Sequence, residues 1–312
     1  MERRAAIRHL LMAGAASIVP RGAAGEQDAF TIRSDVRLVV LDVSVKDRTG
    51  GFVPGLAKEN FRVWENGASQ SITVFGREDL PVTVGILVDE SRSMAPKRAD
   101  VLNAAKTLIA EGNRHDEIFI LKFNDTVRRG LPDGQLFSDD IQALSTALYR
   151  GRPEGRTALY DAVFEGLTQL DSGHRDKKAL VLISDGGDNA SRLGRREVLH
   201  KLESSMATIY TVGLYDAEDA DQSPGLLQHL AGISGGEALF PATSAEMTDL
   251  CRGIATDIRR RYTIGYAPRM SNGGPLRRIR VSVTSASHVR LVARARTQYR
   301  YEGAPNSGAG KR

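Results

Sequence analysis

Residues 82–93, VTVGILVDESRS, constrain this chain more than any other stretch. Val82, Val84, Ile86, Leu87 and Val88 form a β-branched and aliphatic run of strand length, the pattern of a strand buried on both faces of a parallel sheet. The run stops at Asp89, and Ser91 and Ser93 follow at a spacing of two, so three oxygen-bearing side chains gather in a short loop at the strand's carboxyl end. Open α/β sheets place their ligands outside that end. A hard cation fits such a group.

Strand and helix alternate from Pro81 onward. Residues 97–110 carry Val101, Leu102, Ala105, Leu108 and Ile109 at the spacing of an amphipathic helix. Further helices are expected over 138–149, 158–170, 195–205, 225–233 and 245–261, and further strands over 118–123, 127–131, 179–183 and 208–214. Strands separated by helices imply crossover units, hence a doubly wound α/β domain over 81–261: a mostly parallel sheet with helices on both faces.

The flanking segments read as β structure alone. Segments 37–45, 61–64 and 72–75 lie before the α/β region, with a turn-rich KDRTGG at 46–51 and a turn at 65–67; segments 262–266, 279–283 and 289–293 lie after it. Neither set makes a comfortable sheet by itself. Residues 30–80 and 262–300 are therefore expected to pair into a smaller, discontinuous antiparallel β-sandwich into which the α/β domain is inserted, two separate β appendages being the other arrangement.

Both ends are read from composition. Residues 1–25 combine Arg3, Arg4 and Arg8, a short apolar run and the small residues Ala23, Ala24 and Gly25, which reads as an export signal of the general or twin-arginine type. The expected location is periplasmic or extracellular, with no transmembrane segment in the mature chain. Residues 303–312 read as a loose tail. A single cysteine, Cys251, excludes an intrachain disulfide. Charge is uneven: from Arg252 onward fourteen Lys and Arg face two acids, so that part carries +12 and the remainder −7. A basic β face could meet a polyanion, or its arginines could merely keep an edge soluble. No aromatic interleaving favours nucleic acid.

The chemistry converges from three places in the chain. Asp185 ends the buried strand 179–183 in LISDGGDN, and Thr157 lies in GRTALYDAV just before a helix. With Asp89, Ser91 and Ser93 they make two carboxylates and three hydroxyls around one expected point. Mg²⁺, with Mn²⁺ or Ca²⁺ as substitutes, takes small hard oxygen ligands and retains waters, and soft ligands are absent from the set. Each residue also has a humbler use: Ser93 as a helix cap, Asp89 and Asp185 as acceptors for loop amides. Asp125, Asp161, Asp188 and Glu90 are read as supporting or purely structural residues, with Asp161, four residues after Thr157, as a cap or support for that loop.

At these positions the chain resembles the von Willebrand factor type A domain and its metal-ion-dependent adhesion site. The D-x-S-x-S of that site is matched by Asp89, Ser91 and Ser93, its isolated threonine by Thr157, and its second aspartate by Asp185. LDVSVKDRTG and RRYTIGYAP are similar to the flanks of a bacterial subgroup, abundant in acidobacteria, called von Willebrand factor A-related. The resemblance implies cation-dependent binding of a protein partner through an exposed Asp or Glu, with no nucleotide and no catalysis. It implies that Ser91, Ser93 and Thr157 touch the ion and that Asp89 and Asp185 act mainly through water. One departure stands out: the family usually has Gly where this chain has Arg92, which removes easy access to positive φ and places a cation beside the site.

Catalytic readings find little support. There is no GxxxxGK[ST] for nucleotide phosphates, and the histidines have no HExxH spacing. A Mg²⁺-dependent hydrolase stays a minor alternative. The main alternative is a metal-independent envelope scaffold that binds through the basic β face.

Overall fold

The computed structural model describes residues 38–215, 222–268, 274–286 and 290–301. The expected export signal at 1–25 and tail at 303–312 lie outside the described residues. The chain opens with β1 (Val39–Lys46), β2 (Phe61–Glu65), β3 (Ala68–Gln70) and β4 (Ile72–Gly76). The central region follows as β5 (Val82–Asp89), α1 (Arg98–Ala110), β6 (Glu117–Phe123), β7 (Val127–Arg129), α2 (Ile141–Tyr149), α3 (Leu159–Asp171), β8 (Lys177–Ser184), α4 (Arg195–Ser204), β9 (Thr208–Gly213), α5 (Pro224–Ser234), β10 (Ala238–Leu239) and α6 (Ser244–Arg259). It closes with β11 (Tyr262–Tyr266), β12 (Leu276–Val283), β13 (Val292–Arg294) and β14 (Gln298–Arg300).

The central sheet runs β10-β9-β8-β5-β6-β7, parallel except for the edge strand β7. Every residue of β5 is buried, as its apolar run demands. Its alternate side chains feed two cores. Val82, Val84, Ile86 and Val88 pack under α1, α2 and α6, whereas Leu87 joins Phe119, Leu121, Leu180 and Leu182 under α3, α4 and α5. Gly85 faces the second core, where a methyl group would overlap the Phe119 ring and Leu180. Gly85→Ala should therefore cost about 1–3 kcal/mol through overpacking, measurable as a lower urea midpoint with an unchanged slope.

Strands from the two chain ends interleave in two further sheets, ordered β13-β1-β11-β4 and β14-β12-β2-β3. All of their pairings are antiparallel. Leu41, Val43, Val45, Phe61, Val63, Tyr262, Ile264 and Ile279 meet in one core between them. The α/β domain thus carries a smaller antiparallel β-sandwich built from its flanks. The turn at 65–67 appears as Asn66 and Gly67 with φ of 47° and 83°, the paired left-handed conformation of a tight hairpin, and leads into β3. Three short strands have too little pattern to be read beforehand: β3, β10 and β14 span only two or three residues each.

Candidate metal site at the switch point of the sheet

After β5 the chain turns to β6 on one side, and later returns to β8 and β9 on the other. The loops leaving β5 and β8 therefore diverge and leave a crevice between their carboxyl ends. The parallel register sets Val88 beside Ile183, which brings Asp89 level with Ser184. Ser184 Oγ donates to Asp89 Oδ2 at 2.6 Å.

From there a chain of short polar contacts crosses the crevice. Asp89 Oδ1 accepts the Ser91 amide at 2.8 Å. Ser91 Oγ and Ser93 Oγ are 3.1 Å apart, and Ser93 Oγ donates to Asp185 Oδ2 at 2.7 Å. Asp185 Oδ1 accepts the Gly187 amide at 3.1 Å. Each aspartate thus spends one oxygen on a loop amide and directs the other to a hydroxyl. Ser93 does not cap a helix: it bridges the two strand ends.

The loop of Thr157 is fastened by its backbone to the segments that carry both motifs, and among the described residues no hydrogen bond joins the Thr157 hydroxyl to Asp89, Ser91, Ser93 or Asp185. The loop is tied to the first motif by the Arg92 amide on Gly155 O at 3.2 Å and the Glu154 amide on Glu90 O at 2.8 Å. It is tied to the second by a reciprocal pair, Thr157 N to Asn189 Oδ1 and Asn189 N to Thr157 O, both at 2.9 Å. Gly155 has φ of 78°, and a side chain there would collide with the Asp125 carboxylate. The loop is therefore wedged between its neighbours. Asn189 and Ser184 hydrogen-bond the motif residues, contacts that the motif pattern does not mark although both lie within LISDGGDN.

The side chains of the four supporting acids are taken up by ion pairs and hydrogen bonds, that of Asp125 with the Thr157 loop. Glu90 forms a buried ion pair with Lys122 at 3.0 Å, and Lys122 also donates to the carbonyls of Leu148, at 2.7 Å, and Arg150. Burial lowers the Lys122 pKa, and Glu90 opposes that shift. Asp125 holds Arg156, and Asp188 accepts from Ser191 Oγ and the Tyr160 amide. Asp161, expected to support the Thr157 loop, instead accepts the amides of Arg192 and Leu193 beyond β8. Arg92 is exposed and has no positive φ, so the loop closes without the glycine usual in the family.

The electrostatics of the crevice are unbalanced. Asp89 and Asp185 are 2% and 3% exposed, yet neither has a cationic partner among the described residues. Burial pushes the Asp89 carboxyl up to about 6, against hydrogen bonds from Ser184 and Ser91, and the Asp185 charge adds to the rise. Tyr215 also feels the Asp185 charge, and its buried hydroxyl has no hydrogen-bond partner. Buried carboxylates without a counter-charge are costly, so the arrangement has the electrostatics of a cation site. Among the described residues no group of three or more His, Cys, Asp or Glu could hold a metal alone. The hydroxyls must complete any shell, and the donors are then hard oxygens only.

Fold and crevice together define a doubly wound α/β domain with an all-oxygen site at its switch point. The chain belongs to the von Willebrand factor type A domain family, whose model matches residues 83–251, more than half of its length. Among solved structures it is similar to a von Willebrand factor type A protein from Catenulispora acidiphila, at 16% identity and a TM-score of 0.51, over 78% of this chain and 74% of that one. BatB from Bacteroides thetaiotaomicron matches at 17% identity and a TM-score of 0.46, over 57% of this chain and 98% of that one. Proximal thread matrix protein 1 from the mussel byssus, solved with a zinc-occupied MIDAS motif, matches at 16% identity and a TM-score of 0.47, over 58% of this chain and 48% of that one. A search of curated proteins found no match. Among the described residues no helix is long and apolar enough to cross a membrane.

Proposed function

We propose that this protein is an exported, non-catalytic binding module that captures an acidic side chain of a protein partner through a divalent cation, Mg²⁺ by preference. The observation that carries the reading is the pair of buried carboxylates, Asp89 and Asp185, joined through Ser91 and Ser93 and without a cationic partner among the described residues. Ser91, Ser93 and Thr157 would hold the ion directly, and Asp89 and Asp185 would neutralise it, in part through water. A bound Mg²⁺ supplies one thing here, a coordination position open to a partner's carboxylate. Residues 81–261 form the binding domain, and 30–80 with 262–300 the sandwich that carries it.

The test is capture of envelope proteins by the full chain in Mg²⁺, repeated with a chelator and with prey whose carboxylates have been amidated. Capture should disappear in both. Equal capture in chelator would transfer the function to a metal-independent surface. Arg92 provides a graded check, since its positive charge sits between Ser91 and Ser93 in the sequence and opposes a divalent cation held there. Arg92→Ala should strengthen Mg²⁺ binding several-fold at low salt, a difference that closes as salt screens it.

A further inference from the structure

A second surface, on the sandwich, carries charge that the crevice does not use. In the antiparallel pair β12–β2, Arg280 stands opposite Trp64 and Ser282 opposite Arg62, and β3 sets Ser69 opposite Trp64. The pleat turns Phe61, Val63 and Ile279 inward and turns Arg62, Trp64, Arg278, Arg280 and Ser282 outward. Arg62, Arg278 and Arg280 are exposed, and none has a carboxylate partner among the described residues. Arg62 reaches only the carbonyls of Glu59 and Phe61, at 2.8 and 2.9 Å. The neighbouring arginines are engaged differently: Arg277 turns inward toward Glu65, Arg296 is buried on backbone carbonyls, and Arg300 pairs with Glu203.

Arg278 and Arg280 stand about 7 Å apart along β12, and Arg62 lies diagonally across from Arg280 at about 7–8 Å, so the three like charges on one face repel one another. Keeping a sheet face soluble needs no such arrangement, since mixed signs do it better. The Arg280 guanidinium carbon lies 3.7 Å from the Trp64 ring centroid. Stacking covers the flat side of the guanidinium and leaves its N–H edges free for two-point contact with a carboxylate. Ser69 and Ser282 add hydroxyls beside the cations, which suits a partner that bears hydroxyls as well as carboxylates. The outward face of these three strands has no exposed aliphatic side chain to enter a lipid layer, and its one aromatic ring is already covered, which disfavours base stacking.

We propose that the outward face of the β12–β2–β3 sheet, centred on the Arg280–Trp64 stack and flanked by Arg62 and Arg278, docks a linear polysaccharide bearing carboxylates. Charge complementarity selects the anion, the guanidinium forks select carboxylate geometry, and the open flat face accepts an extended polymer. Trp64 is the chain's only tryptophan, so its fluorescence reports on this face alone.

The experiment titrates the full chain with polygalacturonate in a chelator, which silences any metal-dependent contact. Tryptophan fluorescence should change on binding, and affinity should fall as ionic strength rises. The triple variant Arg62→Ser, Arg278→Ser, Arg280→Ser should bind at least about tenfold more weakly, because three charge-assisted contacts are lost, while its melting temperature stays at the wild-type value. A wild-type affinity in the triple variant overturns the proposal. So does equal or tighter binding of uncharged dextran, single-stranded DNA or phosphatidylglycerol vesicles, with the last two reassigning the face to nucleic acid or membrane.

Discussion

Arg261→Met should unfold this protein at a melting temperature roughly 10 °C below wild type. Arg261 is 3% exposed and its guanidinium joins four elements: Nε to Tyr210 Oη on β9 at 2.9 Å, Nη2 to Asp257 Oδ2 on α6 at 2.9 Å, Nη2 to Gly235 O at the end of α5 at 2.8 Å, and Nη1 to Asp42 O on β1 at 3.1 Å. Asp257 also accepts from Tyr210 Oη at 2.6 Å and from Ser44 Oγ. The network therefore locks the α/β domain onto the sandwich. Removing one member of a buried ion pair leaves an uncompensated charge and costs about 3–5 kcal/mol, or about 2–4 °C per kcal/mol in a large domain. Calorimetry checks this, and the double variant Asp257→Asn, Arg261→Met should recover part of the loss.

The same network sets an acid limit with a definite sign. Burial alone would raise the Asp257 pKa, but Arg261, Ser44 and Tyr210 together hold it below the usual carboxylate range. Its stabilisation is therefore complete above the unfolded pKa of about 3.9 and is lost as pH falls through the lower folded value. In Arg261→Met the burial cost is opposed mainly by the Ser44 and Tyr210 hydrogen bonds, and the folded pKa should rise above about 3.9. Acidification should then stabilise the variant where it destabilises wild type. Parallel acid limbs in the two proteins would show that Arg261 is not what holds the carboxylate.

The second large effect is on metal response. At Mg²⁺ a hundredfold above its dissociation constant, binding to the native state alone adds about 2.7 kcal/mol and raises the wild-type melting temperature by about 5 °C. Asp185→Ala should remove that rise entirely. It removes one of the two uncompensated charges but orphans Ser93 Oγ and the Gly187 amide, so the metal-free variant should stay within about 2 kcal/mol of wild type. A Mg²⁺ shift that survives in Asp185→Ala would place the ion elsewhere and remove the basis of the proposed capture mechanism.

Much of this was legible beforehand because it depends on short-range pattern. The apolar runs at 82–88 and 179–183 have to be buried, and β5 and β8 are the two central strands of the sheet. Helix periodicity placed α1 to α6 to within a few residues. The roles of the supporting acids were not legible, because an aspartate near a motif looks the same whether it faces an ion or a loop amide. Asp161 is the example: it serves the Arg192–Leu193 loop rather than the loop of Thr157. Arg92 is another, since only the backbone shows that its position does not require positive φ.

The sequence alone determined the alternation of strands and helices, the burial of the central strands and the kinds of donor at their ends, all of which follow from residues near one another in the chain. Tertiary structure decided which of those donors meet. Ser93 finds Asp185 ninety-two positions away because β5 and β8 are neighbours in the sheet. Arg261 ties the central α/β layers to the flanking sheets because α6 ends where β1, β9 and α5 come together. Contacts of that range depend on strand order and packing, which no local pattern encodes.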